Sequence, residues 1–405
     1  MPRPSSLYEQ IPRSGIRTIF DAAARIPDVI SLAVGEPAET ADPHVVAAAN
    51  AAQADGHTKY SNVLGLRETR DAASAYTARV KELRYSPETE TQIVPGATFG
   101  LYLATLSVVN PGDEVIVPTP AFPSYDAQIA LAGGCSVHVP LRPENGMRLS
   151  AHDITRAITP RTRAILINTP GNPSGAVTNR AQLAQIAELC VRHDLWAISD
   201  EVYHAFDYTS PDSSAAPSIA AAPGMRERTV VVESLSKTFA MTGWRIGYLH
   251  APAPVIEHSA AMAELLHSSV NSGAQYAATA ALSGPLTSVR RRAATYRANR
   301  DILARILQNH PTVHMIPSEG AFYALLDIHR TGMTGTEFAH RLLEQEHVAV
   351  VPGEAFGAAH PGLVRVSYVG DSGDLCTAVN RIVEFADIVT RDRSQVENAR
   401  IPLAV

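Results

Sequence analysis

Apolar and polar positions recur with two different periods along this chain. From about residue 90 to about residue 250, short Val- and Ile-rich runs alternate with segments of helical periodicity. EVIV at 114–117, RAILIN at 163–168, LWAIS at 195–199 and TVVVE at 229–233 are nearly continuous in apolar character. Runs of that kind are expected of strands covered on both faces. Residues 179–193 instead carry Leu183, Ile186, Ala187, Cys190 and Val191, an i, i+3, i+4, i+7, i+8 stripe along one helical face. Asn179 precedes the stripe with Gln182 three residues on, the pattern of a capping box. Alternation of strands and helices predicts an α/β fold with a mostly parallel central sheet sandwiched by helices. In such sheets ligands bind beyond the carboxyl ends of the strands.

Further along, residues 254–283 read as one long helical stretch and 290–308 as another. A second, smaller α/β region follows, with AFYALLDI at 321–328 and LVRVSY at 363–368. The expected organisation is an N-terminal segment 1–45 belonging to the small domain, a large domain 46–280, a small C-terminal domain 281–392, and a polar, poorly ordered tail 393–405.

Composition narrows the class. The 405 residues are 45% apolar and 18% charged, which is too apolar for a disordered chain. A net charge of −6 gives no basic footprint for nucleic acid or an anionic membrane. Cys135, Cys190 and Cys376 form no close pair, so neither a disulfide framework nor a CxxC zinc site is expected. The opening MPRPSSLYEQIPRSG lacks the apolar run of a signal peptide, and apolar stretches such as 101–109 are too short to span a bilayer. These features lead us to expect a cytoplasmic protein with no nucleic-acid or membrane partner. No GxGxxG follows a strand, and GxxxxGK[ST], HExxH and GxSxG are absent, which weakens nicotinamide, P-loop, zincin and hydrolase readings.

The basic residues carry more information. Only Lys59, Lys81 and Lys237 are lysines; the other 31 are arginines. Guanidinium stays protonated and cannot replace an amine in chemistry, so each surviving lysine invites a question. Lys237 directly follows a predicted strand within SLSKTFAMTGWR, between hydroxyls and eight residues before Arg245. Hydroxyls with a guanidinium suit a phosphate dianion, and a partly desolvated lysine beside them can form a Schiff base with a carbonyl. A lysine beside a phosphate site points to pyridoxal 5′-phosphate.

SLSKTFAMTGWRIGY, together with INTPGNPSG, SDEVY and VPTPAFPSY upstream, resembles fold-type I pyridoxal-phosphate enzymes, specifically the class I/II aminotransferase family with its aspartate and aromatic members. The resemblance runs from the VGEP segment at 34–37 to Arg365. It implies that Lys237 is the Schiff-base lysine and proton carrier and that Asp200 pairs with the pyridine nitrogen. It further implies that Tyr203 and Asn172 donate to the phenolic oxygen and that Phe122 stacks on the ring. Ala97, Thr98, Ser234 and Arg245 would cradle the phosphate, and Tyr60 would reach the phosphate of the neighbouring subunit in a homodimer. Asn271 and Ser272 could also cross that interface. Arg365, with the Gly35 amide and Asn172, would hold the substrate α-carboxylate. The implied activity moves an amino group from an α-amino acid to a 2-oxo acid through a Cα carbanion.

Substrate identity stays open at this point. Residues 96–110 contain no basic residue to meet a second carboxylate, and Arg17, His204 and Tyr125 are candidate readers of the side chain. The scaffold also serves β-elimination, C–S cleavage, and decarboxylating or oxidative deamination, which share the carbanion and differ in its fate. A ligand-sensing transcriptional regulator would need a basic helix-turn-helix segment, which this acidic chain does not show.

Overall fold

The computed structural model describes residues 15–210 and 215–399. Residues 1–14, which hold most of the opening segment, and 400–405 of the expected tail lie outside the described residues.

The four continuous apolar runs are strands of one seven-stranded sheet. Its members are β1 (Thr91–Val94), β2 (Glu114–Thr119), β3 (Cys135–Pro140), β4 (Thr162–Asn168), β5 (Trp196–Asp200), β6 (Thr229–Ser234) and β7 (Gly247–His250). They lie in the order β1-β7-β6-β5-β4-β2-β3. All neighbours are parallel except that β7 runs antiparallel to both β1 and β6. Alternate residues of single strands enter different cores. Val115, Val117, Ala164 and Leu166 pack on one face, while Ile116, Ile165 and Ile167 pack on the other. Burial on both faces explains why these strands read as unbroken apolar runs.

Helices cover both faces. The first carries Leu101, Leu103 and Ala104 from Ala97–Val108, and the second carries Leu183, Ile186 and Ala187 from Arg180–Arg192. The second helix starts as its sequence predicts. Asn179 accepts from the Gln182 backbone N–H, and the Gln182 side chain accepts from the Asn179 N–H, satisfying two orphan donors. The stretch 254–283 is not one helix. It breaks into Ala253–His267 and Ser272–Ser283, with Ser268 in left-handed backbone (φ 63°) and Asn271 capping the second helix through Ala274 N–H. Apolar periodicity alone did not register that break, whereas the Asn271 cap is its local cause.

AFYALLDI and LVRVSY supply Tyr323–Asp327 and Leu363–Ser367, antiparallel partners within a four-stranded sheet. A short parallel pair, Ile30–Ser31 with Val348–Ala349, ties the N-terminal segment to this region. The last helix, Ser372–Ala399, continues past Asp392, so the segment expected to be a polar, poorly ordered tail begins inside a helix.

Candidate active site

Parallel strands deliver their following residues to one edge, and five such deliveries meet there. Asp200 ends β5, Ser234 ends β6, and Lys237 lies one turn into the four-residue helix Leu235–Thr238. Phe122 follows β2, Asn172 follows β4, and Ala97 and Thr98 begin the helix after β1. These residues, with Gly35, Tyr203, Arg245 and Arg365, line one cavity of about 460 Å³. Of the residues that the resemblance assigns to the cofactor or the α-carboxylate, Tyr60 stands apart from it, 88% exposed on the surface.

Of the five charged residues that line the cavity, Lys237, Asp200 and Arg365 are the most buried, whereas Glu36 and Arg245 are exposed. The Lys237 amine donates to the Gly35 carbonyl at 2.6 Å. Burial lowers its pKa to about 8, helped by Arg365 and Arg245 and opposed by Glu36 and Asp200. The Asp200 carboxyl is raised to about 6, chiefly by burial, although Tyr125 Oη donates to it at 2.6 Å and the Val202 N–H at 3.3 Å. Arg365 is 2% exposed. Its Nη1 donates to Asn172 Oδ1 at 3.0 Å and its Nη2 to the Ala33 carbonyl at 2.8 Å. The guanidinium lies over the rings of Tyr323 and Phe356, and its Nε–H is buried without a hydrogen-bond partner. A buried orphan donor on a fixed cation is unfavourable unless an anion completes it.

The phosphate cradle expected from sequence has a local physical basis. Gly96 takes φ +82°, and a Cβ there would lie 2.8 Å from Arg245 Nη2. Absence of that side chain lets the guanidinium rest against the turn that opens Ala97–Val108. Free backbone N–H groups at such a helix start, with Thr98 in its first turn and Arg245 beside it, suit an anion. Ser234 caps the Lys237 helix, its Oγ accepting from Ser236 N–H at 3.0 Å.

Other placements refine the sequence reading. Gly35 meets Lys237 with its carbonyl. Tyr203 Oη lies 3.1 Å from Tyr323 Oη, and Asn168 fixes the Asn172 turn by accepting from its N–H at 2.8 Å. Tyr125, a candidate reader of the substrate side chain, is committed to Asp200. His204 is buried among Tyr76, Glu201 and Glu233 and does not line the cavity. Arg17 is an exposed surface residue paired with Asp21 at 3.7 Å. Asn271 caps its own helix by accepting from Ala274 N–H at 2.9 Å, and Ser272 donates to the Lys59 carbonyl at 2.9 Å.

Sequence reasoning missed Ile16, Phe20, Glu36, Tyr323 and Thr242, which also line the cavity. Ile16 and Phe20 were legible as an i, i+4 pair on the helix Gly15–Ala23. Tyr323 carried no signal beyond a strand aromatic.

A buried amine, a buried carboxylate, an incomplete arginine and a phosphate-ready helix start are what a phosphorylated aldehyde with a basic ring nitrogen requires, so the residues fit pyridoxal 5′-phosphate. Comparisons with known proteins point the same way. Residues 27–382 match the family Aminotransferase class I and II. The chain is 38% identical to an aspartate aminotransferase of Pyrococcus abyssi, over 91% of this chain and 94% of the relative. It is 37% identical to aromatic-amino-acid aminotransferase 2 of Thermococcus litoralis, over 93% and 97%. Its structure superposes on a single mutant of Thermus thermophilus aspartate aminotransferase with a TM-score of 0.88 and 35% identity, covering 95% of this chain and 100% of that one. With fold, cavity and sequence in agreement over nearly their whole length, this chain belongs to the class I and II aminotransferase family and has its fold-type I architecture.

Proposed function

We propose that this protein is a pyridoxal 5′-phosphate-dependent aminotransferase that moves the amino group of an α-amino acid to a 2-oxo acid. The convergence of Lys237, Asp200 and Arg365 on one cavity carries the reading. When bound, the cofactor supplies an aldehyde that condenses with amines and a ring that withdraws electrons from the substrate α-carbon. Lys237 would hold it covalently, Asp200 its ring nitrogen, Tyr203 and Asn172 its phenolic oxygen, and Phe122 its ring face. Ala97, Thr98, Ser234 and Arg245 would hold its phosphate, together with the partner subunit's Tyr60 in a homodimer.

The protein's own residues then divide the work. Arg365 receives the substrate α-carboxylate on its planar fork, with Nε–H no longer orphaned, and so fixes the orientation of the α-carbon. Lys237 Nζ, with its pKa lowered toward neutrality, takes the α-proton and gives it back. Burial of Asp200 disfavours its anion, and a cationic ring nitrogen opposite it reverses that penalty.

Substrate class follows from the rest of the lining. Once Lys237, Arg245 and Arg365 are engaged, no cation of the described lining is left for a second carboxylate, while Ile16, Phe20, Val34 and Leu101 present apolar surface. The reading is therefore an amino acid with an apolar, aliphatic or aromatic side chain. The seven-stranded sheet within 46–280 and the four-stranded sheet within 281–392 support division into large and small domains. An acidic chain with no described helix long and apolar enough to cross a membrane supports the cytoplasmic assignment.

The test is to add single amino acids to the cofactor-loaded enzyme anaerobically, with no oxo acid present. One 2-oxo acid per site, with the amino group retained on the cofactor, is expected. Ammonia, thiol or carbon dioxide accumulating over many turnovers would replace transamination with elimination, decarboxylation or oxidation.

A further inference from the structure

Beneath the cavity floor lies a second set of buried charges that transamination does not use. Side chains alternate along β5 and β6, so Asp200 and Ser234 face the cavity while Ser199, Glu201 and Glu233 project to the opposite face of the sheet. The cores show the same alternation. Ile198, Val230 and Val232 pack with Ala97–Val108, whereas Ala197 and Val231 belong to clusters on the other side.

Lys81 ends the helix Arg67–Lys81 and reaches into that opposite face. Its ammonium donates to Glu201 Oε2 at 2.6 Å and to Glu233 Oε1, and all three side chains are at most 2% exposed. The other oxygens are also engaged. Glu201 Oε1 accepts from the Ser199 and Ser218 hydroxyls at 2.7 and 2.6 Å. Glu233 Oε2 meets His204 Nδ1 at 2.9 Å. That nitrogen also lies 3.1 Å from the Glu201 carbonyl, so it faces two acceptors and carries a hydrogen, while Nε2 contacts Tyr76 Oη at 2.9 Å. One ammonium thus joins two carboxylates across neighbouring parallel strands, and each carboxylate is adjacent in sequence to a cavity residue.

Other titratable groups close around the cluster: Tyr76 and Tyr85 from and after the Lys81 helix, Tyr248 and His250 from β7, with Arg226 stacked over Tyr85. Burial pushes the tyrosine hydroxyls up and His250 down to about 3, so these groups are neutral near pH 7. Burial also pushes Lys81 down, but the two glutamates outweigh it and hold the ammonium charged. A buried ion cluster is weak evidence for added stability, since apolar packing would serve as well. Its distinguishing feature is its place directly behind Asp200 and Ser234.

We infer that Lys81 is a positioning residue. It clamps Glu201 to Glu233, fixes the strand ends that present Asp200 and Ser234, and screens Asp200 from two carboxylates behind it. This rests on the reading of the cavity as a pyridoxal-phosphate site.

The test is a pH titration of the visible absorbance of the pyridoxal-phosphate-loaded enzyme, with Lys81→Met, Glu201→Gln and the double variant compared with wild type. Loss of the cation leaves uncompensated negative charge, so the midpoint in Lys81→Met moves up by about one pH unit. Glu201→Gln removes negative charge and moves it down, and the double variant returns toward wild type. A brace without electrostatic effect would give no such opposed signs. Coincident midpoints in folded variants overturn the inference. Should Lys81→Met fail to fold, Glu201→Gln decides alone, downward displacement supporting and no displacement overturning. Wild-type protein that binds no pyridoxal phosphate would overturn the functional reading instead.

Discussion

Asp200 shows at the scale of one residue what a functional site costs its protein. A carboxyl whose pKa rises to about 6 on folding binds more protons folded than unfolded between about pH 4 and pH 6. Its contribution is fully present below the unfolded value and is lost as pH rises through about 6. Asp200→Asn removes the ionisation while keeping an acceptor for Tyr125. In cofactor-free protein it should therefore be more stable than wild type near pH 7.5, by about 2–3 kcal/mol. That advantage should shrink as pH falls toward 4; urea titrations at both ends would show it, and an equal gain at both would contradict the assignment. Arg365→Lys keeps charge but loses the fork, so KM for the amino acid should rise about 10- to 100-fold, with cofactor affinity preserved. Most of this site was readable because its residues follow strands within dense motifs. Arg17, His204 and Tyr125 were not, because residue type gives no direction: Arg17 turns outward to Asp21, and His204 turns beneath the sheet.

Among elements, strand runs were the most legible, since burial on both faces leaves continuous apolar sequence, and the Asn179 capping box announced its helix directly. The break at Ser268 was missed because Ala-rich helical periodicity resumes on both sides of the short segment 268–271, whose serines and capping Asn271 were its only signal. The helix Gly15–Ala23 is the element on which the proposed apolar specificity depends. It sets Ile16 and Phe20 on the cavity and Ile19 into the core. Phe20→Ala removes apolar contact surface, so kcat/KM for an apolar amino acid should fall about 10-fold, corresponding to roughly 1.5 kcal/mol. Cofactor affinity should not change. An unaltered kcat/KM, measured by steady-state kinetics, would remove this helix from the substrate pocket.

Over the whole molecule, the sheet edge gathers the site, but among the described residues two large side chains are almost wholly uncovered. Tyr60 and Leu265 are 88% and 89% exposed. The Tyr60 loop is tied to the start of Ser272–Ser283 through Ser272 and Lys59, so it is presented on a fixed support. A homodimer that covers both is the expected assembly, with the partner subunit's Tyr60 at the phosphate. Sedimentation should show a dimer, and Tyr60→Ala should weaken cofactor binding about 10-fold or more without loss of fold. A monomer with full cofactor affinity would contradict shared sites. Sequence could suggest this arrangement only through family resemblance, because composition and periodicity carry no information about a second chain.

Lys237 is the proposed reacting amine, and a chain with only three lysines makes that directly measurable. Pyridoxal-phosphate-loaded enzyme would be reduced with borohydride, digested and mapped by mass spectrometry. One pyridoxyl label per chain is expected, on Lys237, and none on exposed Lys59 or ion-paired Lys81. A label on either of those lysines, or no label at all, would contradict it.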